Sequence, residues 1–419
     1  MPGAKRRFLR PRWNPANVHT GGVNSREPIN RPALGVALAF AVSQDILYAL
    51  VFLSFMNHYL LDVLDTSPGF PGYTLALYGG TRLIVHPLAG RLLDLTRPRV
   101  VYVASLIVQL TAVVSLTITQ SLPLFLVAAV LLAIGSATIW PLTYALVAAT
   151  QPAEQRGRIG GMLAIAGYVS TGVGFATGIL LAEVAANRAA FAIAAVLIAL
   201  PALLLTGHTL GVRALHTEHE SATRQSGPSR GLILFGLVLF LDFAAISAIA
   251  GVYGPYARRT LDLSLLQTAI LLLPAGIAAA LSLAIVSRFS RSNRRFLEMA
   301  VLYALAGAGA LALALTNVPA AASAVAIILG LGAGGIAPLI AATLLDVGFG
   351  KGRGVVIGTL MSLEGLGSVA GPGAVAFVTD FQGPRAGFAV IAALFAVLVP
   401  LSLVAFRHFE PVIDSPQTG

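Results

Sequence analysis

The chain has 419 residues, 57% of them hydrophobic and 11% charged, with a formal net charge of +10 and no cysteine. A soluble domain carries about a quarter of its residues charged, so a soluble enzyme, a disordered chain, a collagen-like fibre and a disulfide scaffold are all excluded. What remains is a multi-spanning membrane protein, in which 43 glycines and 23 prolines suit close helix crossings and bends.

A helix needs about 20 apolar residues to cross a bilayer. Twelve such runs follow one another, at 33–56, 71–93, 100–118, 122–147, 159–182, 189–207, 231–253, 264–287, 297–315, 319–344, 355–378 and 386–406. They are continuous and Ala/Leu-rich, which predicts helices and not the short alternating strands of a barrel. The first run is too long for a signal-peptide core and is read as a retained helix. The expected organisation is a basic tail at 1–32, a six-helix unit at 33–207, a polar loop at 208–230, a second six-helix unit at 231–406 and a tail at 407–419. The fold class predicted is therefore an all-α membrane protein of twelve transmembrane helices.

The cations set the orientation. Of the 27 Lys and Arg, 22 fall in the tails and in alternate connections, among them Arg91, Arg97 and Arg99, Arg156 and Arg158, and Arg288, Arg291, Arg294 and Arg295. Positive residues mark the cytoplasmic side, which predicts a multi-pass protein of the cytoplasmic membrane with both termini in the cytoplasm. The charge is thus topological. A nucleic-acid partner is not expected, because that would need the basic residues on one folded face. The tail at 1–32 is expected to be unstructured and to set topology, with contact to anionic lipid heads as the alternative.

A shift of 197 residues superimposes the two halves. Asp45 falls on Asp242, Tyr59 on Tyr256, Arg91 on Arg288, Arg97 on Arg294, Pro141-Leu142 on Pro338-Leu339, Arg156-Gly157 on Arg353-Gly354, and Arg188 on Arg385. Apolar matches mean little in such a chain, whereas a constant offset through its rarer Asp, Arg, Pro and Tyr does not come from composition. Parallel repeats of six helices describe a large class of transporters whose substrate sites lie between the halves near the midplane.

The stretch from Tyr78 through Arg99 resembles the signature that the major facilitator superfamily carries between its second and third helices: Gly90, Leu92, Asp94 and Arg99 match it, while Leu95, Arg97 and Pro98 depart. Pro152 to Arg158 is also similar to that family. The resemblance covers about 33 to 406 and implies two six-helix bundles related by a pseudo-twofold axis. It also implies a gating role for Gly90, Asp94, Arg97 and Arg99 in the state closed toward the cytoplasm, with local loop rigidity as the plainer alternative. Within the family the chain is compared with proton-coupled drug exporters, which usually carry Gly-Pro on the fifth helix and often an arginine on the fourth. Here Ile179 and Leu131 occupy those places, and Gly371-Pro372 appears on the eleventh helix instead. Gly174, Gly178, Gly371 and Pro372 are expected to serve helix packing and bending.

Ionisable residues deep in the membrane cost several kcal/mol and usually face a cavity or a partner. Asp45, Asp242, Arg82 and Glu364 each lie on the order of 15 Å from a helix end. Three acids thus face one cation. Arg82 can neutralise Asp45 on the neighbouring helix, or Glu364 across the interface that the resemblance implies. The remaining acids must hold protons, sit in water or meet a cationic substrate. Asp45 is the first choice for a proton-coupling or substrate-binding group, with Gln44 and Tyr48 beside it as hydrogen-bonding neighbours. Static salt bridges are the alternative for all three acids. His86 follows Arg82 by one turn and is read as a packing histidine before a proton relay. Trp140 and Tyr144 form either an aromatic wall for a ligand or ordinary helix packing.

No phosphate-binding glycine loop, metal-ligand spacing or nucleophile–base pair is present in the sequence, so no cofactor, metal or enzymatic role is expected. The function expected is secondary transport of a small molecule across the lipid bilayer by alternating access, with protons as the coupling ion and export of an amphipathic or cationic compound favoured. Proton-coupled uptake of a nutrient or organic anion through Arg82 is the alternative within transport. A non-transporting membrane receptor is the alternative from another class. Oligomeric state is not legible.

Overall fold

The computed structural model describes residues 31–95, 98–118, 121–150, 156–184, 196, 230–290, 294–347 and 353–413, and these are helical nearly throughout. Apart from Val196, the sixth run at 189–207 lies outside the described residues, as do most of the central loop and residues 1–30. Helix α1 spans 31–63 as Arg31–Tyr48, a π-helical segment Ala49–Phe55, Met56–His58 and a second π-helical segment Tyr59–Val63. There follow α2 (Phe70–Leu95), α3 (Pro98–Ile118), α4 (Leu122–Thr150), α5 (Arg156–Val184), α6 (Arg230–Pro255, continued by π-helical Tyr256–Thr260), α7 (Leu265–Phe289), α8 (Arg295–Leu315), α9 (Pro319–Val347), α10 (Arg353–Gln382) and α11 (Pro384–Ile413). Nine of the described helices are long and apolar enough to cross a membrane. The last helix runs to Ile413 and not to 406, because hydropathy ends where the chain meets water while helical hydrogen bonding does not.

Helices α1 to α5 pack into one half and α6 to α11 into the other. Each half has its own aromatic-rich core, built on Phe40, Phe55, Tyr102 and Phe125 in the first and on Phe235, Tyr256, Tyr303, Phe388 and Phe395 in the second. Lipid tails are as apolar as these side chains, so close packing and not the hydrophobic effect holds the helices together. The halves meet along α2 against α10, α5 against α7 and α9, and α2 against α6.

The repeat read from the sequence is present in the backbone. The π-helical segments Tyr59–Val63 and Tyr256–Thr260 end in the same way. Leu64 N–H donates to the Tyr59 carbonyl and Thr66 N–H to that of Leu60, while Leu261 and Leu263 do the same to Tyr256 and Ala257. Each is followed by an aspartate in the left-handed region, Asp65 at φ 46° and Asp262 at φ 52°, a conformation that Asp tolerates through local hydrogen bonding.

Gly174 and Gly371 are repeat partners and do one job twice. A Cβ on Gly174 would strike the Ile46 carbonyl oxygen of α1, and one on Gly371 would strike the Ala244 carbonyl oxygen of α6. Gly178 leaves room for Ser54, whose hydroxyl donates to the carbonyl of Ala49 at 2.9 Å and to that of Phe175 on α5 at 3.2 Å. The five-residue step from Ala49 to Ser54 is that of the wide π turn. Gly371→Ala is expected to lower stability by about 1–3 kcal/mol through overpacking, read as a drop in melting temperature in detergent. Gly373→Ala, whose Cβ would sit 3.8 Å from that of Ala76, is expected to melt with the parent.

Candidate functional site

Helices α1, α2, α5, α6, α8 and α10 bring the deep ionisable residues to one region between the halves. Arg82 of α2 extends Nη2 to 3.9 Å from Oε1 of Glu364 on α10, with the two side chains 19% and 15% exposed. The guanidinium carbon stands 5.6 Å from the centre of the Tyr78 ring, a cation–π distance. Tyr78 is itself fixed: its hydroxyl shares a 2.7 Å hydrogen bond with Ser136 of α4, and its ring packs 5.8 Å from Tyr48 and 4.5 Å from Phe52. Three aromatic rings from α1 and α2 therefore back the cation.

Asp45 turns toward α5, where a Cβ at position 167 would lie 2.5 Å from its Oδ2. Bare Gly167 is thus the seat of this carboxylate. Arg82 acts on Asp45 electrostatically, and Tyr168, next to the seat, lies within range of both Asp45 and Asp242. Asp242 is 4% exposed. Tyr303 of α8 faces it and Glu364 lies within electrostatic range, yet Asp242 Oδ1 and the Tyr303 hydroxyl oxygen lack a hydrogen-bond partner of ordinary geometry. Gly167 and Glu364 occupy equivalent repeat positions, 197 residues apart. The two aspartates therefore neighbour the same position in their respective halves, a glycine in one and a glutamate in the other.

Of the two acids considered for Arg82, Glu364 lies at ion-pair distance and Asp45 lies within its field. Tyr48 stays beside the cluster. Gln44 does not serve Asp45. Its amide donates to Gln109 Oε1 of α3 at 3.0 Å, because one step along a helix turns a side chain by about 100°. His86 is buried against Met361 of α10, and neither ring nitrogen has a partner of ordinary geometry. Trp140 is half-buried against the core of the first half. The side chains of Tyr144, Gly90, Asp94 and Arg99, and the whole of Arg97, lie outside the described residues. Tyr78, Tyr168 and Tyr303 were not singled out from the sequence. Nor was Gly167, although applying the 197-residue shift to Glu364 points straight to it.

Beyond this cluster the halves are fastened at one end. Arg258 of α6 pairs with Asp62 of α1 at 2.6 Å. Asp380 of α10 takes the Gly69 N–H at 2.6 Å and the Ser67 hydroxyl at 3.2 Å, capping the first turn of α2 from the opposite half. Between these fasteners a Cβ on Gly251 would lie 3.0 Å from the Gly72 Cα, so the backbones nearly touch. Asp380→Ala is expected to make this end open more readily. A charge-assisted hydrogen bond contributes about 1.5–3 kcal/mol, which corresponds to a rise of roughly ten- to a hundredfold in the opening equilibrium. The chain has no cysteine, so the labelling rate of Ala250→Cys, on the α6 face packed against the first half, reads this against a silent background. Unchanged labelling would count against the latch.

Two repeated helical halves enclosing ionisable groups at mid-membrane define a membrane transport protein that works between two bundles. The sequence profile of the Major Facilitator Superfamily matches residues 34–348. The chain belongs to that family, and is a multi-pass membrane transporter and not an enzyme. Among solved structures it is similar to the crystal structure of the human organic anion transporter MFSD10 (TETRAN), with a TM-score of 0.72, 18% identity and coverage of 90% of this chain and 100% of that one. At that identity the likeness concerns the fold. No curated protein matches the chain.

Proposed function

We propose that the protein couples proton movement to the export of a small amphipathic or cationic compound, rocking its halves around the cluster of Asp45, Arg82, Asp242 and Glu364. The observation that carries this is the charge balance: three carboxyl groups from both halves lie in one cluster with Arg82, which acts on Asp45 and Glu364 while Asp242 has Glu364 as its charged neighbour. Arg82 can neutralise one of them. The other two must hold protons, meet water or receive a cation, and alternation among these states is what coupled transport requires. Rings of Tyr48, Phe52 and Tyr78 beside the acids suit an apolar body carrying a positive group. The positive-inside bias supports a cytoplasmic-membrane location with both termini in the cytoplasm, which turns the Asp380 latch outward.

Uptake of an organic anion by proton symport is the second reading, favoured by Arg82 and by what the similar human protein is titled as carrying. Purified protein in liposomes separates the two. An imposed pH gradient is expected to drive tetraphenylphosphonium, a lipophilic cation, against the proton flow and to leave benzenesulfonate, an anion that stays ionised and does not cross the bilayer as a neutral acid, undisturbed. Benzenesulfonate moving with protons while the cation stays at its leak rate would replace the export reading with the uptake one.

A further inference from the structure

We infer that the two repeat-equivalent aspartates have separate tasks: Asp45 receives the positive group of the substrate, and Asp242, oriented by Tyr303, carries the coupling proton. The division rests on the proton-coupled export proposed above and goes further by assigning each acid its role.

The repeat makes the comparison a controlled one, since both acids sit at the same depth on equivalent helices and neighbour the same position of an equivalent helix. Their surroundings differ in three ways. Asp45 is partly exposed, while Asp242 is 4% exposed. Asp45 has a cation within range, Arg82, and a glycine, Gly167, against its carboxyl oxygen. Asp242 instead has Glu364 as its charged neighbour and keeps one carboxyl oxygen without a partner. The groups that face Asp242 are Tyr303 from α8, Glu364 from α10 and Tyr168 from α5, while Arg82 of α2 is turned to Glu364 and Asp45.

These differences sort the chemistry. A substrate cation must reach its carboxylate, and the more exposed of the two acids is the one that a group larger than a proton can meet. A buried carboxyl with no cation beside it is stable as the neutral acid, and at 4% exposure Asp242 suits exchange of a proton better than contact with a substrate. The Tyr303 hydroxyl faces this carboxyl and can donate to it most strongly when the carboxyl is ionised. Per cycle, Asp242 takes one proton from water on one side and releases it to water on the other, with no bond made to the substrate. Tyr303 acts through Asp242 and is a positioning residue.

The test uses the full chain in liposomes with tetraphenylphosphonium as the probe. Asp45→Asn is expected to weaken probe binding by about tenfold or more, the loss of one charge contact of roughly 1.4 kcal/mol or above. Asp242→Asn is expected to keep binding within about threefold and to sustain counterflow, but to lose accumulation driven by a pH gradient. Tyr303→Phe is expected to shift the pH profile of driven accumulation while binding stays as in the parent. If Asp242→Asn does not assemble, Asp242→Glu and Tyr303→Phe replace it, and a pH profile unmoved in both overturns the assignment. Driven accumulation intact in Asp242→Asn, or equal weakening of binding by both asparagine variants, also overturns it. A parent protein that never couples the probe to a pH gradient overturns the export proposal itself, a different failure visible before any variant is made.

Discussion

Valine at position 167 is expected to abolish transport while leaving the two halves assembled. A Cβ there already comes within 2.5 Å of Asp45 Oδ2, and valine adds two methyl groups on the same side. The helices cannot separate to make room. Gly174 lies against the backbone of Ile46 and Gly178 against Ser54, which is itself bonded to the Phe175 carbonyl. The carboxyl group must therefore swing out of its seat, away from the field of Arg82. A displacement of about 1 Å in a reacting or binding group can cost on the order of a hundredfold in turnover, and that is the loss expected in probe flux. Gly172→Val on the same helix supplies the control, because nothing lies within 4 Å of a Cβ there. It is expected to transport as the parent does. Gly167→Val transporting at the parental rate would remove Asp45 from the mechanism. If instead both variants lose flux and stability together, the effect belongs to valine in α5 and not to the seat.

The sequence discloses whatever depends on local pattern and on the repeat. Twelve apolar runs, the 197-residue offset and the depth of Asp45, Asp242, Arg82 and Glu364 all follow from spacing along one chain. The ends of α1 and α6 and the paired glycines of α5 and α10 then repeat in three dimensions as they do in sequence. What depends on docking is less legible. Arg82 had two acids to choose from, and only the approach of α10 to α2 brings Glu364 to 3.9 Å. Gln44 was paired with its sequence neighbour, whereas α3 presents Gln109 to it from the other side. The latch joins residues 311 positions apart, Gly69 and Asp380, through a backbone N–H that no residue pattern marks. Tyr303 shows the same limit, since one tyrosine among the 10 in the chain is distinguished only by what it faces.

The second large effect is expected from Arg82→Met, which removes the cation and leaves Glu364 and Asp45 charged with nothing to balance them. Breaking a buried pair costs about 3–5 kcal/mol when the remaining charge is fully enclosed. The 3.9 Å separation and the 15–19% exposure of this pair allow some screening, which lowers the expected loss of stability to about 1–3 kcal/mol. Acidification should narrow the deficit, because a protonated carboxyl no longer needs a cation. Arg82→Met combined with Glu364→Gln removes both charges of the pair and is expected to melt close to the parent. Transport should not return in the double variant, because Arg82 also stands within range of Asp45 and over the Tyr78 ring. Arg82→Lys separates charge from shape: an ammonium keeps the attraction to Glu364 but lacks the flat guanidinium that lies over Tyr78. Stability near the parental value with flux reduced is the expected outcome for lysine. A double variant that regains full transport would mean that Arg82 serves only to neutralise Glu364, and the cluster would then reduce to its three acids.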